Sequence, residues 1–215
     1  MKATNFKNSV RNVAMLIACL AATALFASCD KDNNGNNGNE TTDDFVVING
    51  MKWATRNIDE FGKFTAKPED VGHYYQWNNG KPLATITETK WEKTNDPSPA
   101  GYRIPTATEI YKLMNNSKVT NEWTELNGVW GRKFTDIETG KSIFLPAGGY
   151  CGSSGTLIGG TLGEEGRYWG SMLYVYDGEV YENHAYYLHF SEYDDATNRG
   201  YTDRSMWFPI RCIKE

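Results

Sequence analysis

Apolar and polar positions divide the chain into three stretches. Residues 13–27 are almost continuously apolar, residues 30–44 carry no large apolar side chain, and from Phe45 onward short apolar runs alternate with turn-forming residues. In the third stretch, FVVINGMKWAT places β-formers on both sides of Asn49-Gly50. That pair suits a two-residue type I′ turn, so a hairpin of residues 45–48 against 51–55 is predicted. Thr106, with Glu109 three residues later and an apolar stripe of Ile110, Leu113 and Met114, predicts a capped helix that stops at Asn115, Asn116 and Ser117. A second hairpin is expected over VWGRKFTDIETGKSIFLPA, turning at Glu138-Thr139-Gly140-Lys141. AYYLHF and MWFPIRCIK read as strands, the latter with Pro209 at an edge because it lacks a ladder donor. VGHYYQWNNG reads as a short aromatic segment ending in a turn, residues 81–99 mostly as loop, and the glycine-bearing stretch 148–170 as a long ordered loop. Together these elements describe an α+β domain.

The first two stretches have a different purpose. Lys2, Lys7 and Arg11 precede an apolar run too short to span a bilayer, which needs about 20 residues, so residues 1–28 are read as a signal peptide. Phe26-Ala27-Ser28-Cys29 resembles a bacterial lipobox, with Phe26 in place of the usual Leu and the thiol of Cys29 as acceptor of palmitate-class acyl chains. Two or more such chains anchor a protein stably where one does not. Residues 29–44 then form the lipidated cysteine and a tether that cannot bury enough surface to offset its ordering entropy. Its root-mean-square reach is on the order of 20 Å. The acidic residues directly after Cys29 resemble the surface-export signal of Bacteroidota lipoproteins. A lipid-anchored protein of the outer membrane, displayed outward, is the expected localisation, with residues 45–215 as the single folded domain.

Charge narrows the partners. The chain has 22 Lys and Arg against 27 Asp and Glu, and loss of the three basic signal residues takes the formal net charge of −5 to about −8. A polyanion needs a basic face, so nucleic acid is not an expected partner. Of four cysteines, Cys19 leaves with the signal and Cys29 carries lipid; Cys151 and Cys212 are left either to bridge each other or to stay free thiols. His73, His184 and His189 are the only side chains poised for proton transfer near neutrality, and His189 lies within a strand pattern. No nucleophile motif, zinc spacing or phosphate loop occurs, so neither a metal nor a cofactor is expected. Asp194, Asp195, Asn198 and Asp203 match no EF-hand spacing and read as an acidic solvated loop. Glu164-Glu165 and Glu179 with Glu182 read as surface charges. Aromatic residues are the better lead. Tyr168 and Trp169 are expected to pack inside, whereas Tyr174, Tyr176 and Tyr181 flank Asp177-Gly178 and are the candidate ligand-binding residues.

In order, INGMKWATRNI, GHYYQWN, DPSPAGYRIPTATEI, IFLPAGGY, GRYWGS, AYYLHF and FPIRCIKE resemble the Fibrobacter succinogenes major paralogous domain, over nearly the whole of residues 46–214. The resemblance implies a C-type-lectin-like fold with paired first and last strands, one main helix and a long loop region on one side. Members commonly carry a cysteine where this chain has Ser98, able to pair with the cysteine of the last strand; here that partner of Cys212 is missing. YRIPTATE also resembles a helix start in formylglycine-generating enzymes, although their cysteine pair is not reproduced. The expected function is a non-catalytic, lipid-anchored surface protein that binds a glycan, or an envelope or host protein, through its loop face. A structural or fimbria-associated envelope subunit, and an enzyme related to the formylglycine-generating fold, are the alternative expectations.

Overall fold

The computed structural model describes residues 44–80 and 89–215, with backbone alone at 80 and 194–199. The expected signal peptide, Cys29 and all but the last residue of the tether lie outside the described residues. The described chain is mainly β with one α-helix.

The first hairpin forms as the sequence predicts. Strands β1 (Phe45–Ile48) and β2 (Met51–Ala54) are joined by Asn49 at φ 46° and Gly50 at φ 74°, the two positive values that a type I′ turn demands. The last strand, β12 (Ile213–Lys214), lies between β2 and β4 (Tyr102–Arg103), giving the order β1-β2-β12-β4. The end of the chain therefore returns to the opening hairpin. It pairs with β2, Ile213 opposite Trp53, and not with the first strand as expected.

Helix α1 (Ala107–Leu113) carries the predicted capping box. The Thr106 hydroxyl accepts from Glu109 N, and the Glu109 carboxylate accepts from Thr106 N, satisfying two otherwise orphan donors. Ala107, Ile110 and Leu113 are buried. After it come β5 (Val119–Leu126), β6 (Val129–Asp136) and β7 (Ser142–Pro146), a meander in which β6–β7 is the expected second hairpin. Asp136 holds that turn: its carboxylate accepts from the backbone of Glu138 and Thr139, and from Asn49 N in the first hairpin.

The expected loop at 148–170 is a loop only as far as residue 164. Glu165 opens a long strand, β8 (Glu165–Tyr176), which pairs with β9 (Glu179–Ser191), and β9 pairs with β10 (Asp194–Asp203). Gly166 lies inside β8 for lack of space, not to turn the chain: a Cβ there would come within 2.2 Å of the Phe190 ring. The expected strand MWFPIRCIK is two short pieces. Trp207–Phe208 (β11) pairs with Tyr75–Gln76 (β3), and the chain is irregular from Pro209 until β12.

Two interiors result, and β8 serves both. Tyr168 and Trp169 are buried as expected but face opposite ways. Tyr168 joins Ile48, Trp53, Ile110, Phe134 and Phe190. Trp169 joins Trp77, Trp91, Ile104, Phe208 and Cys212, with its ring 4.1 Å from Phe208 and its Nε1 donating to Tyr75 O at 2.7 Å. Arg211 is also fully buried. Its guanidinium donates to Asn57 Oδ1, Ala54 O and Phe144 O at 2.8 to 3.1 Å, and burial lowers its pKa to about 10. It thus staples β2, β7 and the segment before β12 from within.

Candidate functional site

Beyond Leu173 and His184, the β8–β9 pair runs on as a two-stranded ribbon with no third strand among the described residues. Asp177 at φ 49° and Gly178 at φ 80° close its tip, again with the geometry of a type I′ turn. Every residue from 175 to 183 is exposed. The candidate Tyr174, Tyr176 and Tyr181 therefore sit on a hairpin and not on the loop face where sequence reasoning placed them. Tyr176 is 63% exposed and Tyr181 41%, while Tyr174 is half-buried.

A register break shapes the ribbon. Leu173 opposes Ala185, but the next residue, Tyr174, opposes Tyr181, so residues 182–184 of β9 have no counterpart on β8. In a regular strand Tyr181 and Tyr186 would face opposite sides, since successive side chains alternate. The odd number of extra residues reverses that parity and brings both to the face of Tyr174. There the Tyr174 ring lies 5.3 Å from Tyr181, 5.4 Å from Tyr186 and 3.8 Å from Tyr201 of β10, nearly parallel to the last at 10°. Lost hydration, then the proximity of Tyr201, pushes the Tyr174 phenol above its ordinary pKa. Alternation places Tyr176 on the same face, opposite Glu179. His184 completes the cluster, 6.0 Å from Tyr201 and opposite Asp203.

Sequence reasoning chose three of these tyrosines and missed Tyr186 and Tyr201. AYYLHF does flag a strand, but DDATNRGYTD reads as an acidic loop, and without β10 nothing brings Tyr201 to the face.

The other candidates have structural duties. Cys151 and Cys212 are both buried free thiols, so the disulfide considered for them is absent. Cys151 bridges through its backbone to Trp207 and Leu157, whereas Cys212 packs in the second interior beside Ala54. Burial raises both thiol pKa values, that of Cys212 to about 12, which keeps the sulfurs protonated at neutral pH. Ser98, at the place where a partner cysteine was expected, lies against the Cys212 thiol with its hydroxyl buried and short of a conventional hydrogen-bond partner.

Glu165 is engaged by Arg167 Nε at 3.1 Å and His189 Nε2 at 3.0 Å, and so is more than the surface charge expected of it; Arg167 in turn lies 3.7 Å over the Tyr150 ring. Glu164, Glu179 and Glu182 are exposed as expected. His73 is exposed beside Asp59 at 3.4 Å. Asp203 accepts from Ser205 N, which with lesser help from His184 holds its pKa down; the side chains of Asp194, Asp195 and Asn198 lie outside the description. Among the described residues no three metal-ligating side chains converge.

A groove of about 690 Å³ runs along residues 90–106 to Glu215. Two of its charged side chains are engaged by the fold: Arg103 pairs with Glu109 at 2.6 Å, and Asp96 accepts from Ser98 N and Ile104 N. The tyrosine ribbon, by contrast, spends its aromatic surface on solvent. No family model, curated protein or solved structure matches the chain.

Proposed function

We propose that this chain is a lipid-anchored cell-surface binding module of C-type-lectin-like fold, related to the Fibrobacter succinogenes major paralogous domain, that holds its partner on the tyrosine ribbon. The observation that carries the reading is an aromatic face that runs from Tyr186 and Tyr201 in the three-stranded part through half-buried Tyr174 to exposed Tyr176 and Tyr181 on the two-stranded projection. Aromatic rings held in solvent by a bulge dedicated to gathering them bring little to the core, whereas large amphipathic rings dominate interface energetics. The return of β12 to the opening hairpin, one capped helix among the described residues and the irregular stretch 148–164 support the fold reading. The lipobox-like Phe26-Ala27-Ser28-Cys29 supports the anchor, and the polar stretch behind it supports display at a distance from the lipid surface.

Two measurements test this. Mass spectrometry of the mature chain is expected to find acylated Cys29 as its first residue; an unmodified start elsewhere refutes the anchor. Intact cells carrying the chain are expected to capture envelope or host material that cells carrying the Tyr176→Ala/Tyr181→Ala variant do not. Equal capture by both removes the ribbon from the reading.

A further inference from the structure

Resting on the binding-module reading, a closer view of the ribbon names the chemistry of its partner. From residue 171 to 193 the chain carries no Lys or Arg, yet it holds Asp177, Glu179, Glu182 and Glu192 together with six tyrosines. The cations near this face lie toward its base and not at its tip: Lys90 bridges Met172, and Arg199 stands opposite Leu188. Arg204, buried over the Trp77 ring at 5.1 Å, is attracted by Asp203 and Glu182, and Arg167 is stacked on Tyr150 and paired with Glu165. The face is thus aromatic in the middle, with Tyr174, Tyr181, Tyr186 and Tyr201 ring to ring, and acidic at its tip, with Asp177 and Glu179.

We infer that the tip of the tyrosine ribbon receives a cationic polypeptide segment, with arginine or lysine side chains laid on the exposed rings and paired with Asp177 and Glu179. Ring faces attract cations through their quadrupole, and carboxylates at the edge add Coulombic attraction and steer the encounter. The same chain already uses this contact internally, in Arg167 over Tyr150 and Lys214 over Phe45 at 4.4 Å. Charge complementarity excludes a polyanion from the face.

The test uses the full chain in neutral detergent, with a fluorescent nona-arginine peptide and a neutral β-glucan oligosaccharide as separate probes. The peptide is expected to bind with an affinity that falls steeply between 20 and about 300 mM salt. Tyr176→Ala/Tyr181→Ala is expected to weaken it at least tenfold. Asp177→Asn/Glu179→Gln is expected to do the same and to flatten the salt dependence. Glu125→Gln/Glu138→Gln, on the separate β5–β6–β7 sheet, is expected to change it less than twofold. All four substituted ribbon residues are exposed, so folding is expected to survive. Absence of peptide binding, an unaffected tyrosine variant, or equal losses in the ribbon and control carboxylate variants overturns the inference. If the oligosaccharide binds instead and is lost with Tyr176→Ala/Tyr181→Ala, the cationic partner is refuted while the binding-module reading stands.

Discussion

Ser98 lies against the Cys212 thiol, so a cysteine at position 98 brings two sulfurs together. Ser98→Cys is expected to form a disulfide with Cys212 on air oxidation, closing a loop of roughly 110 residues. In the chain-entropy account a loop of that size removes about 5 kcal/mol of denatured-state freedom; engineered bridges commonly deliver about 2–4 kcal/mol after native strain. For a domain of this size each kcal/mol moves the thermal midpoint by about 2–4 °C, so an increase of at least about 5 °C is expected, abolished by reductant. Thiol titration of the denatured variant supplies the second readout. Wild type is expected to show Cys151 and Cys212 as free thiols, in addition to any contribution from Cys29. The variant is expected to show one fewer than wild type. A count one higher than wild type, with a midpoint indifferent to reductant, would mean that the two side chains do not meet as described.

Arg211→Ala strips the hydrogen bonds from Asn57 Oδ1, Ala54 O and Phe144 O at once, and is expected to cost roughly 3–5 kcal/mol in urea unfolding; a loss below about 1 kcal/mol would show that solvent reaches those acceptors. Alkaline pH is expected to lower the thermal midpoint progressively from about pH 9 to 12. Cys212, Tyr74 and Tyr75 have folded pKa values raised to about 12, chiefly by burial, so the denatured chain releases its protons first and stability present below pH 9 drains away, on the order of 4 kcal/mol from Cys212 alone. A midpoint constant to pH 12 would contradict the burial of these groups.

Features written in adjacent residues were legible in the sequence. Asn49-Gly50 fixes its turn through positive φ, and Thr106 with Glu109 caps its helix within one turn of chain. What depends on distant partners was not. Strand β5, VTNEWTEL, lacks strict alternation because an inward position is the polar Asn121, which is satisfied only by Arg132 of β6 at 3.0 Å. Gly166 and Gly170 resemble loop glycines until Phe190, Ile110 and the backbone of Tyr186 are seen against them. The three tyrosines were chosen for their place beside Asp177-Gly178, but the face that unites them with Tyr186 and Tyr201 depends on an offset between two strands. The sequence left Cys151 and Cys212 open between a bridge and free thiols for the same reason, since pairing is decided by spatial approach; both are buried free thiols.

Tyr168 and Trp169 are neighbours in the chain, yet each anchors a different interior. Sliding β8 by a single residue against β9 would swap a phenol for an indole on both sides simultaneously, misfilling two cavities with one error. The strand therefore acts as a shared key, and neither half of the domain can loosen its grip on it alone. Denaturation is expected to proceed as one concerted melt, with no half-folded species in which one side survives the other.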